Sequence, residues 1–228
     1  PTLVLKEITS KKYLSKIKLR LKEKNINFIS IQSVFFGFKP SIKLNKNETK
    51  EIIKYFKKII KFANYLKIKK INIGSAPFRK IKMSPAALFD YNLKLFSIFS
   101  DIALSSNIKV NIEPISKKYK NLFLNNFFDV YDFVKKKLKK KNVKIVLDTG
   151  NCDLEKKNFK KIYRKYHKII DHIQISEKNL RKIDINKIEK ILLFLKKENF
   201  NKTVAIEYLN AEGKKINLLN KIIKKNNF

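Results

Sequence analysis

What this chain lacks narrows its class before any motif is read. One cysteine among 228 residues, Cys152, excludes an intramolecular disulfide and suits a reducing, cytoplasmic setting. No apolar run reaches the roughly 18 residues of a membrane-spanning helix, and the first residues carry no signal-peptide pattern. Two histidines, His167 and His172, are too few for a centre built from many imidazoles. Acidic residues are scarce as well, 19 against 54 basic ones, for a net charge of +35. Arginine is rarer still: Arg20, Arg79, Arg164 and Arg181 are the only four. Specific recognition of phosphates and base edges favours the arginine fork. We therefore read the lysine excess, which accompanies an excess of Asn, Ile and Phe, as compositional drift, and expect neither a specific nucleic-acid partner nor a membrane partner.

The hydrophobic fraction of 44% supports one good core, and no compositional break divides the chain, so residues 1–228 are expected to form a single domain. Four short apolar runs organise it: KVNIEP (Lys109–Pro114), KIVLDTGN (Lys144–Asn151), IIDHIQISE (Ile169–Glu177) and TVAIEY (Thr203–Tyr208). Side chains alternate between the two faces of a strand. Asn111 therefore shares a face with Glu113, Val146 with Asp148, His172 with Gln174, and Ala205 with Glu207. Each strand presents one face to helices and, on the other, ends in an oxygen donor. Glu113, Asp148, Gln174 and Glu207 lie 35, 26 and 33 residues apart, close to the length of one βαβ unit, about 30 residues.

Further strands are expected at Thr2–Ile8, Asn27–Phe36 and Lys70–Ile73. Helices are expected at Lys11–Lys24, Glu51–Leu66 and from Ser84, an N-cap followed by Pro85, to about Ser105. More follow through Val130, Val134 and Leu138 into the KKKLKKK run, from Asp148 to about Lys168, from the Asp184 cap, and from about Glu212. Strict alternation of strand and helix specifies a parallel sheet covered by helices. Seven strands and seven helices come nearest to a (β/α)8-type TIM barrel lacking its first βα unit. Such an opening would expose two strand edges, so pairing with a second copy is among the expectations. Three of the four glycines, Gly37, Gly74 and Gly150, and the prolines Pro40, Pro77 and Pro114 fall just past strand ends. In a barrel that is the face that carries catalysis.

The motifs NIEP, LDTGN, HIQISE and AIEY, with IQSVFFG and NIGSAPFR upstream, together resemble the sugar phosphate isomerase/epimerase group of the xylose-isomerase-like TIM barrels. The resemblance implies a divalent-metal-dependent isomerase or epimerase acting on a small sugar, sugar phosphate or hydroxy-keto acid. By resemblance the metal ligands are Glu113, Asp148, Gln174 and Glu207, with Glu113 and Glu207 also the acid/base pair. Most of the group has His where Gln174 stands, although hydroxypyruvate isomerases carry a similar HIQ sequence. His172, Arg79, Arg181, Asn151 and Ser75 fall at substrate-contacting positions, Asn151 replacing a histidine of many relatives. Three carboxylates and an amide make a hard oxygen set that favours Mn²⁺ or Mg²⁺ over Zn²⁺.

Plainer readings stand beside these. A strand-end acid also caps helices, Ser75 and Arg79 also serve as turn and ion-pair residues, and His172 also serves as a structural histidine. Two other functions compete with the isomerase: a degenerate, non-catalytic barrel acting as a binding protein, and a repair nuclease resembling endonuclease IV, which the histidine count opposes. Whatever the function, the charge alone predicts loose adhesion to polyanions. Fluorescence anisotropy of a labelled random RNA should show affinity falling at least about tenfold between about 50 and about 200 mM salt.

Overall fold

The computed structural model describes residues 11–35, 38, 46–180 and 184–207. The chain gathers into two compact units, Pro1–Ile145 and Val146–Phe228. The first contains α1 (Lys11–Glu23), β1 (Ser30–Ile31), α2 (Lys46–Tyr65), β2 (Lys70–Ile73), α3 (Pro85–Leu104), β3 (Lys109–Ile112), α4 (Phe127–Asp132) and the start of β4 (Val143–Asp148). Its strands pair in chain order and all in parallel, with Ile31 beside Ile71, Ile71 beside Val110, and Val110 beside Val143. The second unit takes the end of β4, then α5 (Thr149–Leu154), α6 (Phe159–Tyr166), β5 (Ile170–Ser176), α7 (Ile185–Lys197) and β6 (Thr203–Glu207). There β5 and β6 are parallel, with Gln174 beside Ala205 and Ser176 beside Glu207.

The alternation of strand and helix is therefore present across the described residues, and most elements fall where the apolar periodicity puts them. Ile52, Phe56, Ile59, Ile60 and Ala63 bury one stripe of α2, and Ile188, Leu192 and Leu195 do so on α7. Ser84 caps α3, accepting from the Ala87 amide, with Pro85 at the first helical position. Both faces of β5 are covered: all seven of its residues are buried, Asp171, His172, Gln174 and Ser176 among them. In the first unit the helix layer is filled by aromatic rings. Phe99 has no exposed surface and meets Phe56 at 4.3 Å, Phe35 at 5.4 Å, and Phe78 and Phe96 at 5.9 Å between ring centres.

Three expectations are corrected. The strand expected at Asn27–Phe36 is only Ser30–Ile31. Asn27, Phe28 and Ile29 are exposed because β2 starts at Lys70, opposite Ser30, and nothing in β2 lies beside them. Ser33 then takes a positive φ of 50°, which ends the extension, and Phe35 turns into the aromatic layer. The helix expected from Asp148 to about Lys168 is two helices, broken where Lys156 adopts φ 52° and Asn158 caps the next turn by accepting from the Lys161 amide. The helix that ends in the lysine run leaves α-geometry after Asp132 and finishes as a π-helical segment, Phe133–Leu138. The strand expected at Thr2–Ile8 and the helix from about Glu212 lie outside the described residues. Among those described, no helix is long and apolar enough to cross a membrane.

With so little glycine, the helices close on other residues. Asn25, Lys67, Asn107, Lys156 and Asn199 all have positive φ. Each is followed by an amide that reaches back five residues: Ile26 to Leu21, Ile68 to Ala63, Ile108 to Ala103, Lys157 to Cys152 and Phe200 to Leu195. That is the closing bond of a Schellman motif, made here without its usual glycine. In four of the five the reaching residue is apolar, as the motif prefers. A side chain in the left-handed region is strained. Lys67→Gly should accordingly raise the urea midpoint, by an amount equivalent to roughly 0.5–1 kcal/mol; a lowered midpoint would show that Lys67 contributes more than its backbone geometry.

Candidate functional site

In the first unit the site is built around Glu113, the residue after β3. Its amide donates to the Ile73 carbonyl at the end of β2, and its side chain is 7% exposed. A Cβ placed on Gly74 would collide with Glu113 Oε2, so the glycine is what lets the carboxylate lie across the end of β2. Gln32, just past β1, donates from Nε2 to the same Oε2 at 2.7 Å. One layer lower, Asn111 Nδ2 donates to Asn72 Oδ1 at 2.9 Å between register partners.

Arg79 holds the backbone of this corner. It is fully buried, and its guanidinium donates to four carbonyl oxygens: Gly74 at 2.6 Å and Glu113 at 2.9 Å from Nη1, Leu124 at 2.7 Å from Nη2, and Phe123 at 3.1 and 2.9 Å from Nε and Nη2. Burial lowers its pKa to about 10, partly offset by the Glu113 carboxylate, so it stays charged at neutral pH. All five N–H groups of a guanidinium are used here. Arg79 thus ties the ends of β2 and β3 to the loop at Phe123 and Leu124, and the structure gives it this role rather than the substrate contact that its sequence position implied.

In the second unit the centre is Asp148, at the end of β4. One carboxylate oxygen caps α5 by accepting from the Asn151 amide, and the other accepts from Ser176 Oγ at 2.6 Å. Ser176 is fixed in turn. Its hydroxyl accepts from the Gly150 amide at 3.1 Å, its amide donates to Thr149 Oγ1 at 2.9 Å, and Thr149 Oγ1 donates to its carbonyl at 2.8 Å. A Cβ on Gly150 would strike Ser176 Oγ, which accounts for a glycine in LDTGN. Lys187 braces the outside of this corner through Asp153 at 2.7 Å and Glu177 at 3.0 Å. Across the strand pair, Gln174 Nε2 donates to Glu207 Oε2 at 2.9 Å.

The electrostatics follow from this burial. Desolvation raises the Asp148 carboxyl to about 6 in spite of its bonds from Ser176 and Asn151. Glu207 rises to about 7, first through burial and then through the negative charge of Asp148. Cys152 is a buried thiol whose pKa is raised by burial and by the same aspartate, so it is not a nucleophile near neutral pH. Among the described residues no three His, Cys, Asp or Glu side chains gather as an ion site. The second unit does hold two carboxylates close enough to repel, and beside them a buried amide oxygen, Gln174 Oε1, with no hydrogen-bond partner among the described residues. Two anionic oxygen groups and an orphaned neutral one fit a hard divalent cation.

The other sequence-derived positions are placed as follows. His172 is buried within β5, beside Thr203. Asn151 is buried on α5, where its backbone serves the Asp148 cap. Ser75 is half-buried in the bend after Gly74. Arg181 lies outside the described residues. Sequence reading singled out neither Ser176 nor Gln32 as a site residue. Both act on a carboxylate far away in the chain, and the only local signal for Ser176 was its place at the end of an apolar run.

Residues 6–224 match the family described as Xylose isomerase-like TIM barrel. No curated protein matches the sequence. Similar solved structures include 3-keto-D-glucoside 4-epimerase YcjR from E. coli, at 14% identity and TM-score 0.74 over 95% of this chain and 84% of that one. A D-psicose 3-epimerase determined in the presence of D-fructose is 22% identical, with TM-score 0.73 over 91% and 73%. The IolI protein with a bound zinc atom is 18% identical, with TM-score 0.64 over 89% and 75%. At these identities the likeness is one of fold.

The buried carboxyls make stability depend on pH in a defined direction. Asp148 and Glu207 hold protons in the folded state up to about 6 and about 7, against ordinary values of 3.8 and 4.5. The folded state therefore binds more protons than the unfolded chain between about pH 4 and 7, and stability falls as pH rises through that window, by up to about 6 kcal/mol. Urea unfolding of metal-free protein should show this loss, and Asp148→Asn should remove much of it. A variant with the wild-type slope would place the titrating groups elsewhere.

Proposed function

We propose, for a chain that belongs to the xylose isomerase-like TIM barrel family, the activity of a divalent-metal-dependent isomerase or epimerase of a small sugar, sugar phosphate or hydroxy-keto acid. The observation that carries this reading is the pairing of two mutually repelling carboxylates, the buried Asp148 and the half-buried Glu207, with the Gln174 oxygen that has no partner among the described residues. Those three would hold the cation, and Glu113 joins them from the motif order of the sequence. When bound, a divalent cation polarises a substrate carbonyl and its neighbouring hydroxyl, which acidifies the adjacent C–H bond.

The remaining steps belong to the protein. Glu113 and Glu207 are the proton-transferring pair, one removing the proton beside the carbonyl and the other returning it. In the metal-free protein, burial and the charge of Asp148 raise Glu207 to about 7. Gln174 fixes which oxygen of Glu207 is free by donating to the other. Ser176 and the Asn151 amide orient Asp148 by donating one bond to each of its two oxygens. The all-oxygen donor set favours Mn²⁺ or Mg²⁺ over Zn²⁺, although IolI, a fold neighbour, carries zinc.

A second reading, a binding barrel without catalysis, is favoured by one feature: with glutamine in place of a histidine, no three His, Cys, Asp or Glu side chains cluster among the described residues. Calorimetric titration of Mn²⁺ into metal-free protein separates the two. We expect one-to-one binding in the micromolar range, weakened at least about a hundredfold in Asp148→Asn and in Glu113→Gln, as loss of a charged ligand requires. Binding untouched by both substitutions, or no binding, favours the non-catalytic barrel.

A further inference from the structure

The chain has only two glutamines, and each is bonded to a glutamate at a strand end. Gln32 donates to Glu113 in the first unit, and Gln174 donates to Glu207 in the second. An ionised carboxylate only accepts hydrogen bonds, so the NH2 end of each carboxamide faces its glutamate whenever that glutamate is ionised. The carboxamide oxygen is thereby turned the other way. In both residues that oxygen, Oε1, is buried and meets no hydrogen-bond donor among the described residues. A bare buried acceptor is costly, and buried groups without partners are rare in folded proteins.

For Gln174 the oxygen has a use in the proposed function, as a metal ligand. Gln32 has none. It follows directly on Ile31, whose register partner is Ile71, so it stands level with Asn72 and, across the next pair, Asn111. The position is thus the rim of a row of carboxamides, next to the one acid of the first unit that the sequence singles out. What satisfies Gln32 Oε1 must be a donor. A phosphate or carboxylate oxygen is excluded by its charge, whereas a hydroxyl supplies the missing proton.

We propose that Gln32 is a substrate-orienting residue: its Nε2 holds Glu113 in place, and its Oε1 accepts a hydrogen bond from a hydroxyl of a polyhydroxylated ligand. The acceptor half rests on the sugar reading, while the hold on Glu113 does not. One set of spectra tests both. Protein labelled with ¹⁵N only at glutamine side chains gives two NH2 groups, assigned through Gln32→Asn. In wild type the Gln32 NH2 protons should exchange with solvent more slowly than in Glu113→Ala by about tenfold or more, as a charge-assisted hydrogen bond demands. The Gln174 signals, unchanged in that variant, confirm that it is folded. Equal exchange rates in the two proteins would overturn the hold on Glu113.

D-fructose titrated into Mg²⁺-loaded protein then tests the acceptor. Saturable shifts of both glutamine signals support the assignment, and their loss at Gln32 alone, with Gln174 still moving, overturns it. If neither moves, the sugar reading and the acceptor role fall together, while the hold on Glu113 stands or falls by the exchange rates alone.

Discussion

A carboxylate turned inward from a strand has to be met by donors, and the corners of both units are arranged to supply them. Each of the acids has its own provider: Gln32 for Glu113, Ser176 and the α5 amide for Asp148, Gln174 for Glu207. The providers need holding in turn, which explains the next layer out. Thr149 grips the backbone of Ser176, and Arg79 grips the carbonyls of Glu113 and Gly74. The glycines Gly74 and Gly150 are the places where these side chains pass over the chain with no room for a Cβ. Donors of this kind stabilise the charged form but do not cancel the charge. Asp148 and Glu207 remain above their ordinary pKa despite them, because desolvation outweighs the bonds.

The contrast with the outside of the protein is therefore one of location rather than amount. The chain carries a net charge of +35, yet many of its described lysines lie on exposed helix faces where water screens them. Lys187 is the cation that acts on Asp148, and it is already paired with Asp153 and Glu177. Among the described residues the negative corner of the second unit has no further cation acting on Asp148. A mobile cation can occupy such a corner when the acids are ionised, and a proton can when they are not.

How much of this was legible in the sequence depends on whether the cause is local. Strand ends, helix stripes and the caps at Ser84 and Asp184 follow from periodicity and from residues within one turn, and they fall where expected. Helix ends were harder to see, because Lys67 and Lys156 sit where glycine would have announced them. The short β1 is set by where β2 begins, a fact of register rather than of the run NFISIQSVFF. Gln32 and Glu113 are 81 positions apart, and Ser176 and Asp148 are 28 apart. Such pairings are created by the parallel register and have no signature in either segment. Arg79 misled for a related reason: in sequence a loop arginine after a strand is free to reach a ligand, while in the fold it faces four carbonyls.

The substitution at residue 174 looks less like loss when its two ends are considered separately. A neutral histidine on a metal coordinates through one ring nitrogen and donates through the other, usually to an acceptor that sets its orientation. A glutamine has the same division, an oxygen that can coordinate and an NH2 that donates. In this chain the NH2 is already engaged with Glu207 and the oxygen is the buried atom left bare. What changes is the character of the coordinating atom, from a borderline imidazole nitrogen to a hard amide oxygen, and its distance from the backbone. On the proposed reading the exchange preserves the orienting bond to Glu207 while moving the preferred ion away from zinc and toward magnesium or manganese.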